Sequence, residues 1–245
     1  MDKMLFIAMN GASQAMRSQS NIAHNLANVS TTGFKSSLDS YTNWHVAGPG
    51  LPTRVYNQWQ QTGSDMTSGS FITTGRELDV AVRGEGWIAV QGRNGQESYS
   101  RAGDLRLNEN GQLTNGAGHV VIGNSGPIAL PPAEKIEIAT DGSISILPVG
   151  QTADSMAIVD RIKLVKPDLD KLSKGEDGLM YLQGGKKAAP STEVNLASGV
   201  IESSNVNAIS ELVEMIGNAR QYEINVKMMQ TADQTGKAAE ALLRA

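Results

Sequence analysis

A chain of 245 residues, 40% of them hydrophobic, can bury a core in one large domain or two small ones. Its formal net charge is -4, with Lys and Arg scattered rather than striped, which argues against a nucleic-acid footprint. The absence of cysteine excludes disulfides, thiolate nucleophiles and Cys-based zinc sites, and an aromatic content of 4% makes much of the apolar contact shallow.

In chain order, the first predicted element is a helix over residues 2–28. Leu5, Ala8, Ala12, Ala15, Ile22, Leu26 and Val29 fall on alternating three-four spacing, broken only by Gln19, as in a coiled-coil seam. The helix stops before Ser30-Thr31-Thr32-Gly33, whose glycine can take the left-handed conformation of a helix stop. Residues 36–70 are rich in Ser, Thr, Gly, Asn and Gln, with Gly48-Pro49-Gly50 and Pro52 preventing a continuous helix, and read as an extended connector. Trp44, Tyr56 and Trp59 are large for a free linker, so this segment is expected to lie against another surface.

From Phe71 the period becomes two, with strands expected over 78–82, 87–91, 97–101, 105–107, 112–114, 119–122, 136–139, 143–147 and 161–165. Asn94-Gly95, Asn110-Gly111, Asn115-Gly116 and Asp141-Gly142 supply residues for tight turns. Residues 166–199 read as an irregular return segment. A second helix begins near Ala208, capped by Asn205 or Asn207, with a seam through Leu212, Met215, Ala219, Tyr222, Val226 and Met229 that weakens at Asp233 and Gly236 and recovers at Leu243. The fold class is therefore α+β. The two pieces of a discontinuous helical assembly domain (1–35 and 200–245) flank a connector (36–70) and a central antiparallel β-domain (71–199).

An isolated helix cannot bury an apolar stripe, so each end needs a helical neighbour. The two ends could pair as an internal hairpin. Gln19, Asp233 and Gly236 interrupt such a seam, however, while Met9, Met16, Ile216 and Leu242 offer secondary apolar positions, and a layer of several helices in a polymer fits these better.

The chemical signals are weak. Gly84-Glu85-Gly86-Trp87 resembles a dinucleotide fingerprint but leads into a strand, where the fingerprint needs a helix. His24, His45 and His119 share no metal-ligand spacing. Asp79, Glu85, Asp104 and Glu109 would have to meet as a pair to cleave a glycan, and read more simply as solvated turn residues. No catalytic, cofactor or metal site is expected. No stretch is long enough to span a bilayer, and the amino terminus lacks the pattern of a cleaved secretory signal.

The run Asn25-Leu26-Ala27-Asn28-Val29-Ser30-Thr31-Thr32-Gly33-Phe34-Lys35 resembles the amino-terminal signature of the bacterial flagellar rod and hook protein family. The carboxyl end agrees through Gly199-Val200-Ile201-Glu202-Ser203-Ser204-Asn205-Val206-Asn207, and the middle through Leu78-Asp79-Val80-Ala81-Val82-Arg83 and Tyr99-Ser100-Arg101-Ala102-Gly103-Asp104. The opening Met1-Asp2 with Ala8-Met9-Asn10-Gly11-Ala12 looks most like a proximal-rod member; a distal-rod or hook protein is the alternative. His24, Trp87 and Leu105 depart from residues common in that family. The resemblance implies a non-catalytic subunit, exported by the flagellar type III apparatus without a cleaved signal and located in the basal body, where it spans the periplasm. Its partners would be copies of itself and other rod proteins, with no nucleic acid and no membrane insertion.

Overall fold

The computed structural model describes residues 2–45, 55–92, 94–150 and 156–244. The chain divides into two compact units, one of Met1–Val29, Ser37–Gly63 and Val206–Ala245, the other of Ser30–Ser36 and Ser64–Asn205. Gly48-Pro49-Gly50 and Pro52 lie outside the described residues.

The first unit contains helix α1 (Asp2–Ala27), strands β1 (Ser37–His45) and β2 (Val55–Ser64), and helix α2 (Ala208–Arg244). The segment read as an extended connector thus forms a two-stranded ribbon. Helix α1 ends without the help of Gly33. Asn28 Nδ2 donates to the His24 carbonyl at 2.9 Å, satisfying one of the orphan acceptors at a helix end. Asn207 caps α2, its Oδ1 accepting from the Ile209 and Ser210 amides at 3.0 and 3.2 Å.

Apart from two single 3-10 turns, Leu169–Lys171 and Gln183–Gly185, the regular structure of the second unit is β: β3 (Phe71–Thr73), β4 (Val80–Arg83), β5 (Trp87–Gln91), β6 (Glu97–Ser100), β7 (Arg106–Leu107), β8 (Leu113–Thr114), β9 (Ala133–Ile138) and β10 (Ser143–Pro148). It continues through β11 (Ala157–Arg161), β12 (Leu164–Val165), β13 (Leu172–Lys174), β14 (Met180–Leu182), β15 (Asn195–Ser198) and β16 (Val200–Glu202). A five-stranded sheet has the order β12-β5-β6-β14-β13 and a three-stranded sheet the order β11-β10-β9, with the pairs β15-β4, β16-β3 and β7-β8 completing the unit. Both faces of β5 are buried, because its alternating side chains enter different clusters: Ile88 and Val90 join Val80, Leu105, Leu113 and Ile144, while Trp87 and Ala89 join Tyr99, Val165 and Met180.

Two expectations fail here for local reasons. The segment 166–199 is not irregular, since β13, β14 and β15 lie in it; strands of three or four residues carry too short a period to be read. The stretch 119–122 makes only isolated bridges rather than a strand. At Asn115-Gly116 the turn works differently from a two-residue hairpin. Asn115 Oδ1 accepts from the His119 amide at 2.9 Å, and Gly118, not Gly116, carries the positive φ of 87°.

The second unit closes around a buried carboxylate. Glu202, fully buried at the end of β16, accepts from Lys35 Nζ at 2.7 Å, Arg101 at 3.1 Å and the Gly69 amide at 3.0 Å. Arg101 also donates to the Gly84 carbonyl at 2.8 Å and stands 5.3 Å over the Trp87 ring. Gly33, at φ 65°, donates its amide to the Glu202 carbonyl at 2.8 Å and lies so close to the Arg101–Ala102 peptide that a Cβ would overlap it. Beside it, Lys174 Nζ donates to the Lys35 carbonyl at 2.6 Å and sits 3.9 Å over the Phe34 ring. Burial lowers the Lys174 ammonium to about 8 and lowers Lys35 as well, where the Glu202 contact opposes it.

Removing Glu202 strands two cations in the interior, so Glu202→Leu is expected to lower the urea-derived stability of the second unit by about 3–5 kcal/mol. The triple change Lys35→Met/Arg101→Met/Glu202→Leu recovers most of that loss. A lysine with a lowered folded pKa binds its proton more tightly when unfolded, so the burial cost is fully present below about pH 8 and is relieved as pH rises toward the unfolded value. The urea midpoint of the wild type should accordingly rise relative to Lys174→Met between pH 7 and pH 10.

Candidate assembly surfaces

In the first unit α1 and α2 run antiparallel, and three contacts set their register. Asn25 Nδ2 donates to Glu211 Oε1 at 3.3 Å, Asn218 Nδ2 donates to Ser18 Oγ at 2.7 Å, and a Cβ at Gly11 would lie 2.9 Å from Asn225 Oδ1. Each pair of residue numbers sums to 236, so the three contacts repeat at one heptad along both helices. The pairing face is therefore built largely from small and polar side chains.

This placement shifts half of the expected seam. In α1, Ala8, Ala12, Ala15 and Ile22 are buried, but Ser18 and Asn25 share that face, Leu26 is half-buried and Leu5 is exposed. In α2, Met215, Val226 and Met229 are half-buried, whereas Leu212, Ala219 and Tyr222 are exposed; the column that meets α1 runs through Glu211, Asn218 and Asn225 instead. Leu243, expected to restore the seam, lies outside the residues whose side chains are described. The apolar period was real, but an apolar stripe shows where a helix can be covered, not which neighbour covers it.

The outer side of α2 carries a second stripe. Ile209, Val213, Ile216 and Leu242 are 75%, 64%, 55% and 80% exposed. At about 100° per residue they cluster roughly half a turn from Glu211, Asn218 and Asn225. Met9 and Met16 form a further exposed stripe on α1. The helical pair is thus apolar on faces that no other described residue covers, which sequence reasoning glimpsed only through the secondary positions Met9, Met16, Ile216 and Leu242.

The signature residues divide between the units. In the first, Asn25 clamps the start of β1: its Oδ1 accepts from the Ser37 amide at 2.9 Å and its Nδ2 donates to the Ser37 carbonyl at 3.1 Å. Asn28 serves the helix end, Ala27 is exposed, and Val29 and Val206 are half-buried and buried. In the second, Asn205 Oδ1 accepts from the Ser36 amide at 2.8 Å while its Nδ2 donates to the Asp65 carbonyl at 2.9 Å. Gly33, Phe34, Lys35 and Ser204 are buried, and Ser30 and Thr31 are exposed. The two asparagines perform the same task in different units, each substituting a side-chain amide for a missing strand partner.

The four carboxylates weighed for glycan cleavage are ion-paired or exposed. The backbones of Asp79 and Asp104 form an isolated bridge, but Asp79 pairs with Arg76 at 3.4 Å and Asp104 with Arg106 at 3.8 Å. Glu85 is an exposed partner of Lys166 at 3.5 Å, and Glu109 is exposed. Gly84, at φ 73°, makes the turn between β4 and β5, as the strand reading of the glycine pair requires.

Burial raises the Glu211 carboxyl above its ordinary value, opposed by the Asn25 hydrogen bond, and Glu211 Oε2 is buried without a hydrogen-bond partner among the described residues. A carboxyl raised in the folded state destabilises the pair while ionised, and that cost is relieved as pH falls from neutral through the raised folded value. Glu211→Gln keeps an acceptor for Asn25 without the charge. It should raise the helix melting temperature at pH 7, followed by circular dichroism, and weaken the gain seen on acidification.

Three family descriptions match the chain. The family described as "Flagella basal body rod protein" matches residues 5–35, "Flagellar hook protein FlgE/F/G D1 domain" residues 81–146, and "Flagellar basal body rod FlgEFG protein C-terminal" residues 197–242. The chain is 40% identical to the flagellar basal-body rod protein FlgF of Escherichia coli strain K12 and 39% identical to that of Salmonella typhimurium strain LT2, in each case over 99% of both chains. It is 33% identical to the basal-body rod protein FlgG of Buchnera aphidicola from Acyrthosiphon pisum, over 94% of this chain and 95% of that one. The asparagine clamps, the paired terminal helices and the full-length likeness agree: the chain belongs to the flagellar basal-body rod protein family, alongside its FlgF members.

Proposed function

We propose that this chain works as a proximal-rod subunit by packing the outer stripe of α2, with Met9 and Met16 of α1, against helices of neighbouring rod subunits, among them copies of itself. As a family member it is a structural, non-catalytic component of the flagellar basal body, and motility depends on it. The observation that carries the packing is the outer stripe itself. Its large apolar side chains stand in water on the side of α2 away from Glu211, Asn218 and Asn225, the column that meets α1, and such a contiguous exposed apolar face marks an interaction surface. Subunits related head to tail propagate as a helix rather than closing as a dimer, which suits a shaft.

Export through the flagellar type III apparatus fits the same design. Helices α1 and α2 lie at opposite ends of the chain and meet through small and amide side chains, so their pairing gives up little when the chain is unfolded for passage. Covering the outer stripe after export would then offset the entropy of ordering them.

Val213→Asp/Ile216→Asp places charges in the outer stripe without touching the face toward α1. The double variant should be absent from isolated basal bodies and leave cells non-motile, while the urea midpoint of the second unit stays within the error of the wild type. Normal incorporation of that variant would sink the proposal.

A further inference from the structure

Where the β1–β2 ribbon lies beside α1, a depression of about 310 Å³ is lined by amides and aromatic rings alone: Asn10, Gln14, Asn57 and Gln58 with Trp44 and Tyr56. Neither a charged nor an aliphatic side chain borders it. It differs in kind from the outer stripe of α2, whose aliphatic side chains suit an apolar helix. Trp44 is 65% exposed, so most of its ring stands in solvent. Gln58 is exposed as well, and among the described residues the side chains of Asn10 and Gln58 engage no hydrogen-bond partner. Gln14 is oriented by its Oε1, which accepts from the Trp59 amide at 3.0 Å and leaves Nε2 to donate elsewhere.

We infer that this depression binds a neutral glycan chain. An amide side chain offers a donor and an acceptor side by side, which matches neighbouring hydroxyls on a sugar ring, each of them both donor and acceptor. A pyranose also has an apolar C–H face, and an exposed indole beside the amides gives that face a flat surface to cover. Anionic ligands such as phosphates or acidic peptides find no cation in the lining, and an apolar segment finds no aliphatic wall. An adjoining depression of about 320 Å³ shares Gln14 and Asn57, adds Tyr41 and is likewise uncharged, so the chain can extend past a single ring. The site shares no residue with the stripes named for subunit packing, and the inference therefore stands apart from the rod reading.

Calorimetric titration of the full chain with cellotetraose and with chitotetraose tests this. Saturable binding is expected, unchanged by added salt because no charge takes part, with affinity about tenfold weaker in Trp44→Ala and largely restored in Trp44→Tyr. Gln58→Ala should weaken it as well. Whichever tetrasaccharide binds more tightly tells whether the site takes a plain or an N-acetylated sugar. Trp44 and Gln58 are both exposed, so a loss of binding with an unchanged urea midpoint reports on the site rather than on the fold. Val213→Asp/Ile216→Asp should bind as the wild type does, which lets the packing and the glycan site fail separately. No saturable heat with either sugar, or equal affinity in Trp44→Ala and the wild type, overturns the inference.

Discussion

Glu202 is the constraint around which the second unit is organised. Its carboxylate is taken wholly out of water, a loss that only close cations and aligned donors can offset, and it finds Lys35, Arg101 and the Gly69 amide. Those partners come from widely separated parts of the sequence: the stretch just after α1, the end of β6 and the approach to β3. One side chain therefore ties the residues that follow the first helix to the strand that precedes the second. Gly33 is drawn into the same knot, which explains a positive-φ glycine six residues beyond the end of α1 that plays no part in ending it.

The helical unit follows the opposite logic. Its two helices meet through Gly11, Ser18 and Asn25 against Asn225, Asn218 and Glu211, a narrow contact that specifies register by amides and hydroxyls more than it buries area. Small side chains let the helices approach closely but bring little hydrophobic stabilisation, since that scales with apolar area removed from water. Ile209, Val213, Ile216 and Leu242 are left outside. A subunit made this way has a well-determined internal pairing and an unsatisfied exterior, which is the physical condition for folding that is completed by neighbours.

The ribbon of β1 and β2 shows how much of such a unit escapes pattern reading. Its composition of Ser, Asn, Gln and Thr carries no alternating apolar signal, so it looks like a linker. Its order comes from elsewhere: Asn25 holds Ser37 at both backbone atoms, Asn21 holds Asp39 at 2.7 Å, and Gln14 accepts from the Trp59 amide at 3.0 Å. Amide side chains on α1 thus replace the core that a polar strand pair lacks. The same applies to β13 and β14, short strands whose positions are set by neighbours in the five-stranded sheet rather than by period.

By itself the sequence determined the α+β class, where both helices lie and most strands of the second unit. The three-four spacing marks both helices because it follows from backbone geometry, and Trp87–Gln91 is legible as a strand because both its faces need apolar cover. It also carried the signature residues whose likeness to flagellar rod proteins the full-length relatives bear out. Tertiary structure alone decided which stripe of α2 turns inward, that Lys35, Arg101 and Glu202 share one buried site, and that Asn225 and Asn57 face a common cavity. Those outcomes depend on register and on contacts between residues far apart in the chain. Local propensity and periodicity are blind to both, because a period states that a face will be buried and leaves open what buries it.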